Sequence, residues 1–403
     1  MKNIDIHNFT KKNITKRSTS LFEIDIENNK NKLSEKIKDK SILVIGGAGT
    51  IGKSFIKAIL KFEPKRLYVI DTNENGLTEL TRDLRSTDNQ FIPEDYKTYP
   101  MNFGDSVFKK LFIKEGPFEI VANFAAHKHV RSEKDKYSIE AMLENNVFKA
   151  KELLELLLEN KPEHFFCVST DKASNPVNIM GASKKLMEEV IMAYSDEFPI
   201  TTARFANVSF SNGSLLQGHI ERINKNQPIS CPSDIKRFFV SEEESGQICM
   251  LACVLGKSSD IFFPKLEKEE MVFFKDITDQ LISEFDKKIT ICSSEDEAKK
   301  LLSITNESNV YPVYYFDTDT SGEKHYEEFY SEKDSINLSR FQNLGVINNR
   351  SNKSITTINK IVEELRFKFQ EENYEKDDII ALLNKYLPDF SHSETGKSLD
   401  QKM

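Results

Sequence analysis

The sequence predicts an α/β protein, a doubly wound parallel sheet with a smaller C-terminal substrate-binding lobe, and three observations predict it. Apolar runs of strand length recur six times between residues 41 and 210. Helical patterns separate them, and strands alternating with helices build right-handed βαβ units. The first run closes on a cluster of glycines at the start of a helix, which puts a ligand-binding turn at the carboxyl end of the first strand.

Taken in order, residues 1–40 are polar and charged, end in KLSEKIKDK and read as an N-terminal arm or short helix ahead of the core. SILVIGG (41–47) is a continuous apolar run, the pattern of a strand buried on both faces. RLYVID (66–71), YKTYPMNF (96–103), EIVANFAA (119–126), EHFFCVST (163–170) and ITTARFANVSF (200–210) follow as further strands. Residues 41–265 are therefore expected to form a Rossmann-like NAD-binding domain carrying part of the substrate site. Beyond 210 the rhythm loosens. EEESGQICMLACVLG reads as a helix with a buried face, and VYPVYYFDT (310–318) as a late strand ahead of the charged segment SGEKHYEEFYSEKD, which reads as surface or as a subunit contact. TTINKIVEELRFKFQEE and KDDIIALLNKYL are helical; residues 266–388 are assigned to a C-terminal α+β lobe and its helices, and 389–403 to a flexible tail.

With 56 Lys and Arg against 64 Asp and Glu, the formal charge of the 403 residues is −8, which argues against a broad footprint for nucleic acid or anionic lipid. Local basic pockets for phosphate are compatible with it. The N-terminus has no apolar h-region, and the run around ICMLACVLG is far short of a bilayer span, so a soluble, cytoplasmic protein without an integral membrane segment is expected. The five cysteines are odd in number and scattered, unlike a secreted disulfide framework. His127 and His129 flank Lys128 with no second ligand pair, so no metal site is expected.

GGAGTIG follows the first strand directly, so Gly46, Gly49 and Gly52 form G-x-x-G-x-x-G, with Thr50 and Ile51 opening the helix. The first two glycines allow a tight turn and close approach to a pyrophosphate, and the third lets helix and strand pack, leaving the phosphates at the helix N-terminus. The second strand ends in Asp71, whose carboxylate can accept both ribose hydroxyls and repels a 2′-phosphate; this favours NAD over NADP. Asp105, after the third strand, suits either an adenine contact or a helix N-cap.

EHFFCVST delivers Ser169, Thr170, Asp171 and Lys172 to the ligand-binding edge of the sheet. The helix after it puts Met180 and Lys184 on one face, four residues apart. Here the chain resembles the extended short-chain dehydrogenase/reductases that modify nucleotide sugars. Within them, STDKASNPVNIMGASKK resembles the UDP-N-acetylglucosamine 4,6-dehydratases of the polysaccharide-biosynthesis branch, whose configuration-retaining members carry methionine where a catalytic tyrosine is usual. AAHKHV, RFANV, RFFV and GEKHYEE continue the resemblance over most of residues 41–330. Ala206 departs from the glycine common in RFGNV, a longer insert precedes GEKHYEE, and an arm stands where many relatives have membrane helices.

The resemblance implies bound NAD, a UDP-sugar substrate and a homo-oligomer. In the implied reaction hydride leaves C4, the new ketone acidifies the C5 proton, water leaves across C5 and C6, and hydride returns to C6. It implies Asp171 as acid to the C6 hydroxyl and Lys172 as the C5 base, which needs a lowered lysine pKa; Thr170 can hydrogen-bond the C4 oxygen. Lys184 would anchor the nicotinamide ribose and Ala125 would lie beside the cofactor. With Met180 in the tyrosine position, Lys184, Asp171 and a water are the candidates to accept the C4 hydroxyl proton. Lys128 is expected to approach substrate or cofactor, with a solvated loop lysine the alternative, and Asn207, Arg204 and Arg237 are expected substrate or diphosphate contacts, with structural salt bridges the alternative. A nucleotide-sugar epimerase on the same fold and a non-catalytic NAD-binding protein are the rival readings.

Overall fold

The computed structural model describes residues 4–304, 309–319, 322, 324–348 and 353–392. The arm comprises α1 (Ile6–Phe9), a π-helical turn at Thr10–Ile14, α2 (Glu23–Asn28) and α3 (Lys30–Ile37). The alternation then runs β1 (Ser41–Ile45), α4 (Thr50–Leu60), β2 (Arg66–Asp71), α5 (Glu74–Ser86), β3 (Asp95–Pro100), α6 (Ser106–Glu115) and β4 (Ile120–Asn123). It continues with α7 (Lys136–Leu143), α8 (Lys149–Glu159), β5 (His164–Val168), α9 (Ile179–Ala193) and β6 (Ile200–Ala203). Each of the six strand-length apolar runs singled out in the sequence overlaps one of these strands.

After β6 come β7 (Asn207–Val208), α10 (Leu215–Asn224), β8 (Ile229–Pro232), β9 (Lys236–Arg237), β10 (Phe239–Val240), α11 (Glu242–Leu255) and β11 (Asp260–Pro264). The remainder holds β12 (Val272–Phe273), α12 (Phe274–Glu284), β13 (Lys288–Cys292), α13 (Glu295–Ile304), β14 (Val310–Phe316), β15 (Ile336–Asn337), β16 (Leu344–Asn348), α14 (Ile355–Gln370) and α15 (Lys376–Tyr386).

The large sheet has the order β15-β16-β11-β6-β5-β4-β1-β2-β3. From β3 to β11 neighbouring strands pair in parallel, and β16 then pairs antiparallel with β11. All residues of β4, β5, β6 and β11 are buried, as two covered faces require, whereas edge strand β3 is only partly covered. α11 is buried almost all round because it lies against α4 and the sheet; a side chain at Gly246 would place its Cβ 2.2 Å from the Ser54 carbonyl group. The strand order reverses between β1 and β4, so the ligand crevice is expected outside the carboxyl ends of those two strands.

A second core forms the lobe. Leu216, Ile223, Ile229, Phe239, Phe274, Ile277, Leu281 and Val313 pack together over the parallel sheet β13-β14-β8. The chain is shared between the two cores differently from the boundaries drawn on the sequence. Residues 336–348 return to the large sheet, where β16 covers the edge that β11 would otherwise expose, and α14 packs on α9. The arm is part of both cores: Phe9 and Ile14 are buried in the lobe, and Phe22, Leu33 and Ile37 in the main body. Between them Arg17 pairs with Glu244 at 3.0 Å and with Glu270 at 3.2 Å. The expected tail begins later than 389, since Phe390 is buried and Ser391 donates to the Pro176 carbonyl; residues 393–403 lie outside the described residues.

Candidate active site

At the switch point, the turn after β1 is shaped by what surrounds it. Gly46 has φ +76°, and a Cβ there would lie 2.5 Å from the Ala125 nitrogen, so the loops after β1 and β4 meet at a distance only glycine permits. A Cβ at Gly52 would lie 2.3 Å from the Gly46 carbonyl oxygen, which makes this the helix–strand packing glycine. Gly49 differs: its φ is −72° and a Cβ would meet nothing closer than 3.5 Å. Its own protein does not demand glycine there. Gly49 is also the N-cap of α4 and caps the first turn with no side chain, leaving helical N–H groups for an anion. Asp71 closes the turn, accepting the Ala48 and Asn73 N–H groups at 2.9 Å each. Thr50 accepts the Asn212 N–H at 3.0 Å and so ties the turn to the segment entering the lobe. Asp105 stands at the N-cap of α6, exposed, and accepts the Asn102 N–H at 3.2 Å. These features fit a dinucleotide pyrophosphate laid on the N-terminus of α4.

A cavity of about 620 Å³ runs from this turn into the lobe. Ile51, Lys128, Thr170, Lys172, Met180, Lys184, Asn207 and Arg237 stand on its wall, so eight of the candidate site residues converge there. Met180 and Lys184 share the face of α9 that meets it. The Lys184 ammonium donates to the Val168 carbonyl at 2.7 Å and lies 3.1 Å from the Met187 sulfur; burial lowers its pKa. Lys128 makes no ion pair among the described residues, and desolvation lowers its pKa as well.

Asp171 is buried behind this wall. Its Oδ1 accepts the Thr170 hydroxyl at 2.8 Å and the Lys172 N–H at 2.9 Å, and lies 3.2 Å from the Lys172 ammonium. Lys172 has a second carboxylate, Glu327, at 3.5 Å, and Glu327 is 3.8 Å from Arg237. This corrects the lowered pKa expected of Lys172. Burial does push it down, but Asp171 and Glu327 together outweigh burial and the opposing charge of Arg237, and the net direction is up.

Arg204 is also corrected. It is not on the cavity wall but 1% exposed, its Nε and Nη2 donating to the two oxygens of Glu188 at 2.9 and 2.7 Å and its Nη1 to the Phe329 carbonyl at 3.0 Å. A guanidinium satisfied in this way is a rivet between β6, α9 and the segment around residue 329. Arg237, in contrast, faces the cavity while its Nη1 donates to the Lys236 and His325 carbonyls.

Three residues were not legible in the sequence. Glu327 belongs to GEKHYEE, which folds inward: Gly322 accepts the Asn178 amide at 2.7 Å, and Glu328 accepts that of Asn175 at 3.1 Å. The pairing joins segments far apart in the chain, so only its charge pattern was visible. Asn146 is buried, exchanges hydrogen bonds with the backbone of His127 at 2.8 and 2.9 Å, and donates to Ser183 at 3.1 Å, thereby clamping the Lys128 loop to α9. Arg222, on α10, lines the lobe end of the cavity without an ion pair among the described residues, beside Leu215, Ile235, Phe239, Phe274 and Phe316.

Comparison with known proteins places these features in context. The family profile described as "Polysaccharide biosynthesis protein" matches residues 42–349. A curated relative, "Uncharacterized membrane protein MJ1061" of Methanocaldococcus jannaschii, is 32% identical over 80% of this chain and 92% of its own length. "Probable polysaccharide biosynthesis protein EpsC" of Bacillus subtilis is 29% identical over 62% of this chain and only 41% of its own, so the chain spans less than half of that relative. Among solved structures, dTDP-glucose 4,6-dehydratase DesIV from Streptomyces venezuelae, with NAD and TYD bound, superposes with a TM-score of 0.56 at 16% identity, covering 81% of this chain and 98% of that one. The last likeness is one of fold. Among the described residues no helix is long and apolar enough to cross a membrane.

Proposed function

Because the chain belongs to the polysaccharide biosynthesis protein family, whose relatives and fold neighbours include enzymes acting on nucleotide sugars, we propose that it is an NAD-dependent 4,6-dehydratase of a UDP-sugar, with UDP-N-acetylglucosamine as substrate. The observation that carries the reading is the acid–base pair Asp171–Lys172, 3.2 Å apart at the carboxyl end of β5, with Lys172 on the cavity wall. An epimerase expels no water and needs no such pair.

Gly46, Gly49, Thr50 and Ile51 would hold the pyrophosphate on the turn that Gly52 packs against, Asp71 would hold the adenosine ribose, and Lys184 the nicotinamide ribose. Bound NAD would supply hydride acceptance from C4 and hydride donation to C6. The protein handles the protons. Lys172 rests as an ammonium beside a carboxylate; passing its proton to Asp171 turns the ion pair into an amine and a carboxylic acid. That neutral pair is what removal of the C5 proton and protonation of the C6 hydroxyl require. A sugar filling the cavity expels water and disfavours both charges, which favours the transfer. With Met180 in the tyrosine position, the C4 hydroxyl proton released as hydride leaves would pass to Lys184 or a water, since Asp171 already carries a proton in the neutral pair, and Thr170 would hydrogen-bond the C4 oxygen. The lobe end, with aromatic walls and Arg222, suits the nucleotide, while Lys128, Asn207 and Arg237 suit the diphosphate and sugar.

The test is incubation of the protein and UDP-N-acetylglucosamine in deuterated water, followed by proton NMR and mass spectrometry. Loss of one water with a new C6 methyl and deuterium at C5 supports the proposal. Inversion at C4 without loss of water would establish the epimerase instead.

A further inference from the structure

One charged side chain in the cluster has no part in the chemistry above. Glu327 is 5% exposed, off the cavity wall, and held by a loop whose neighbours are themselves fixed: His325 through its carbonyl on Arg237, Phe329 through its carbonyl on Arg204 and its ring against Phe238 and Phe263. Its Oε1 lies 3.5 Å from the Lys172 ammonium, on which Asp171 closes at 3.2 Å. The charged groups facing Lys172 are thus Asp171 from the turn after β5, Glu327 from the loop before β15 and Arg237 from β9. Two cations and two anions balance; Lys172 and Arg237 line the cavity, and the two carboxylates stand behind them.

We propose that Glu327 is a positioning residue that holds the Lys172 ammonium against Asp171 and keeps the pair in its ionic resting form until the cavity is filled; this rests on the reading of Lys172 as base. A second carboxylate stabilises the proton on the lysine, so Glu327 opposes the transfer to Asp171 while fixing the 3.2 Å contact across which it occurs. Removing its charge should release the proton more readily, and removing its contact should loosen the lysine.

The test is the Glu327→Gln variant, with Glu328→Gln as an exposed neighbour for comparison. Trace labelling of lysines with acetic anhydride across a pH series, read peptide by peptide by mass spectrometry, reports the titration of Lys172 without any turnover. In Glu327→Gln the Lys172 midpoint should fall by about one pH unit or more, with Lys128 and the Glu328→Gln protein unmoved. In the dehydratase assay the acid limb of kcat should move the same way, with KM changed less than about twofold. A natively folded Glu327→Gln protein with an unmoved Lys172 midpoint would overturn the proposal and leave Glu327 a structural loop residue. Should Glu327→Gln fail to fold, Glu327→Asp, which keeps the charge but withdraws it by one methylene, should give a smaller fall in the same direction, and no fall would again overturn it. A wild-type protein that turns over no sugar nucleotide defeats the dehydratase reading alone, since the labelling still decides the Glu327 contact.

Discussion

Replacing Arg204 with methionine separates a structural arginine from a ligand contact. The substitution leaves Glu188, itself fully buried, with the Ser169 hydroxyl at 2.6 Å and the Lys185 ammonium at 4.0 Å as polar partners. Breaking one side of a buried pair costs about 3–5 kcal/mol, because the remaining charge is uncompensated. At about 2.1 cal/mol/K per residue, 403 residues unfolding as one unit carry about 0.85 kcal/mol/K of entropy, so Tm should fall by about 4–6 °C. The pH dependence adds a sign. Burial raises the Glu188 pKa but the Arg204 charge and hydrogen bonds outweigh it, holding the carboxyl below its ordinary range. A depressed carboxylate gives stability that is present above its unfolded pKa and lost as pH falls through the folded one. Without Arg204, only the Lys185 charge at 4.0 Å and the Ser169 hydroxyl oppose burial, so the folded pKa should rise and the variant should be penalised at high pH. The difference in Tm between variant and wild type should therefore narrow from about pH 8 to about pH 5. Replacing both partners, Arg204→Met with Glu188→Gln, should recover much of the loss. Differential scanning calorimetry reads all three. A Tm within about 1 °C of wild type, together with lost binding of the sugar nucleotide, would refute the reasoning and restore Arg204 to the substrate.

Gly49→Ala should fold and melt as wild type, since no protein atom lies within 3.5 Å of the new Cβ, yet hold NAD at least about tenfold more weakly, measured by calorimetric titration. Gly181→Ala should lower kcat more than it raises KM, because its Cβ would stand 2.6 Å from the Lys172 carbonyl oxygen and displace the turn that carries the lysine. Arg222→Ala should raise KM for the UDP-sugar about tenfold or more with kcat little changed, as loss of a binding contact distant from the reacting carbons requires; steady-state kinetics read both.

The parallel sheet was legible because its inner strands are buried on both faces and so read as continuous apolar runs, and because the strands alternate with helices of recognisable period. DIFFP of β11 and LGVIN of β16 were missed: each is five residues long and has the same apolar content as a helix fragment, so only pairing with a strand distant in the chain identifies it. The glycine turn and the β5–α9 segment were legible for the opposite reason, that residue types and spacing in one short stretch fix the geometry. Arg204 shows where such reading stops. RFANV names an arginine beside the crevice, but whether its side chain turns toward the cavity or away depends on Glu188, which lies on another element.

The two charge systems of the protein differ in closure, and one loop connects them. Arg204 and Glu188 are sealed from the cavity, each nitrogen and oxygen committed, whereas Lys172 and Arg237 retain faces on its wall. Residues 325–329 touch both: the His325 carbonyl holds Arg237, Glu327 meets Lys172, and the Phe329 carbonyl holds Arg204. What fixes the register of that loop is apolar. The Phe329 ring lies 5.2 Å from Phe238 and 6.1 Å from Phe263 in stacked geometry, and Phe238 sits next to Arg237 in the chain. A slip of the loop by one residue would cost the aromatic contacts as well as both arginine contacts, and would carry Glu327 away from Lys172. The distance between a carboxylate and the lysine is thereby set by aromatic packing, which is insensitive to pH and salt, so the charges at the cavity can change protonation without the frame that spaces them giving way.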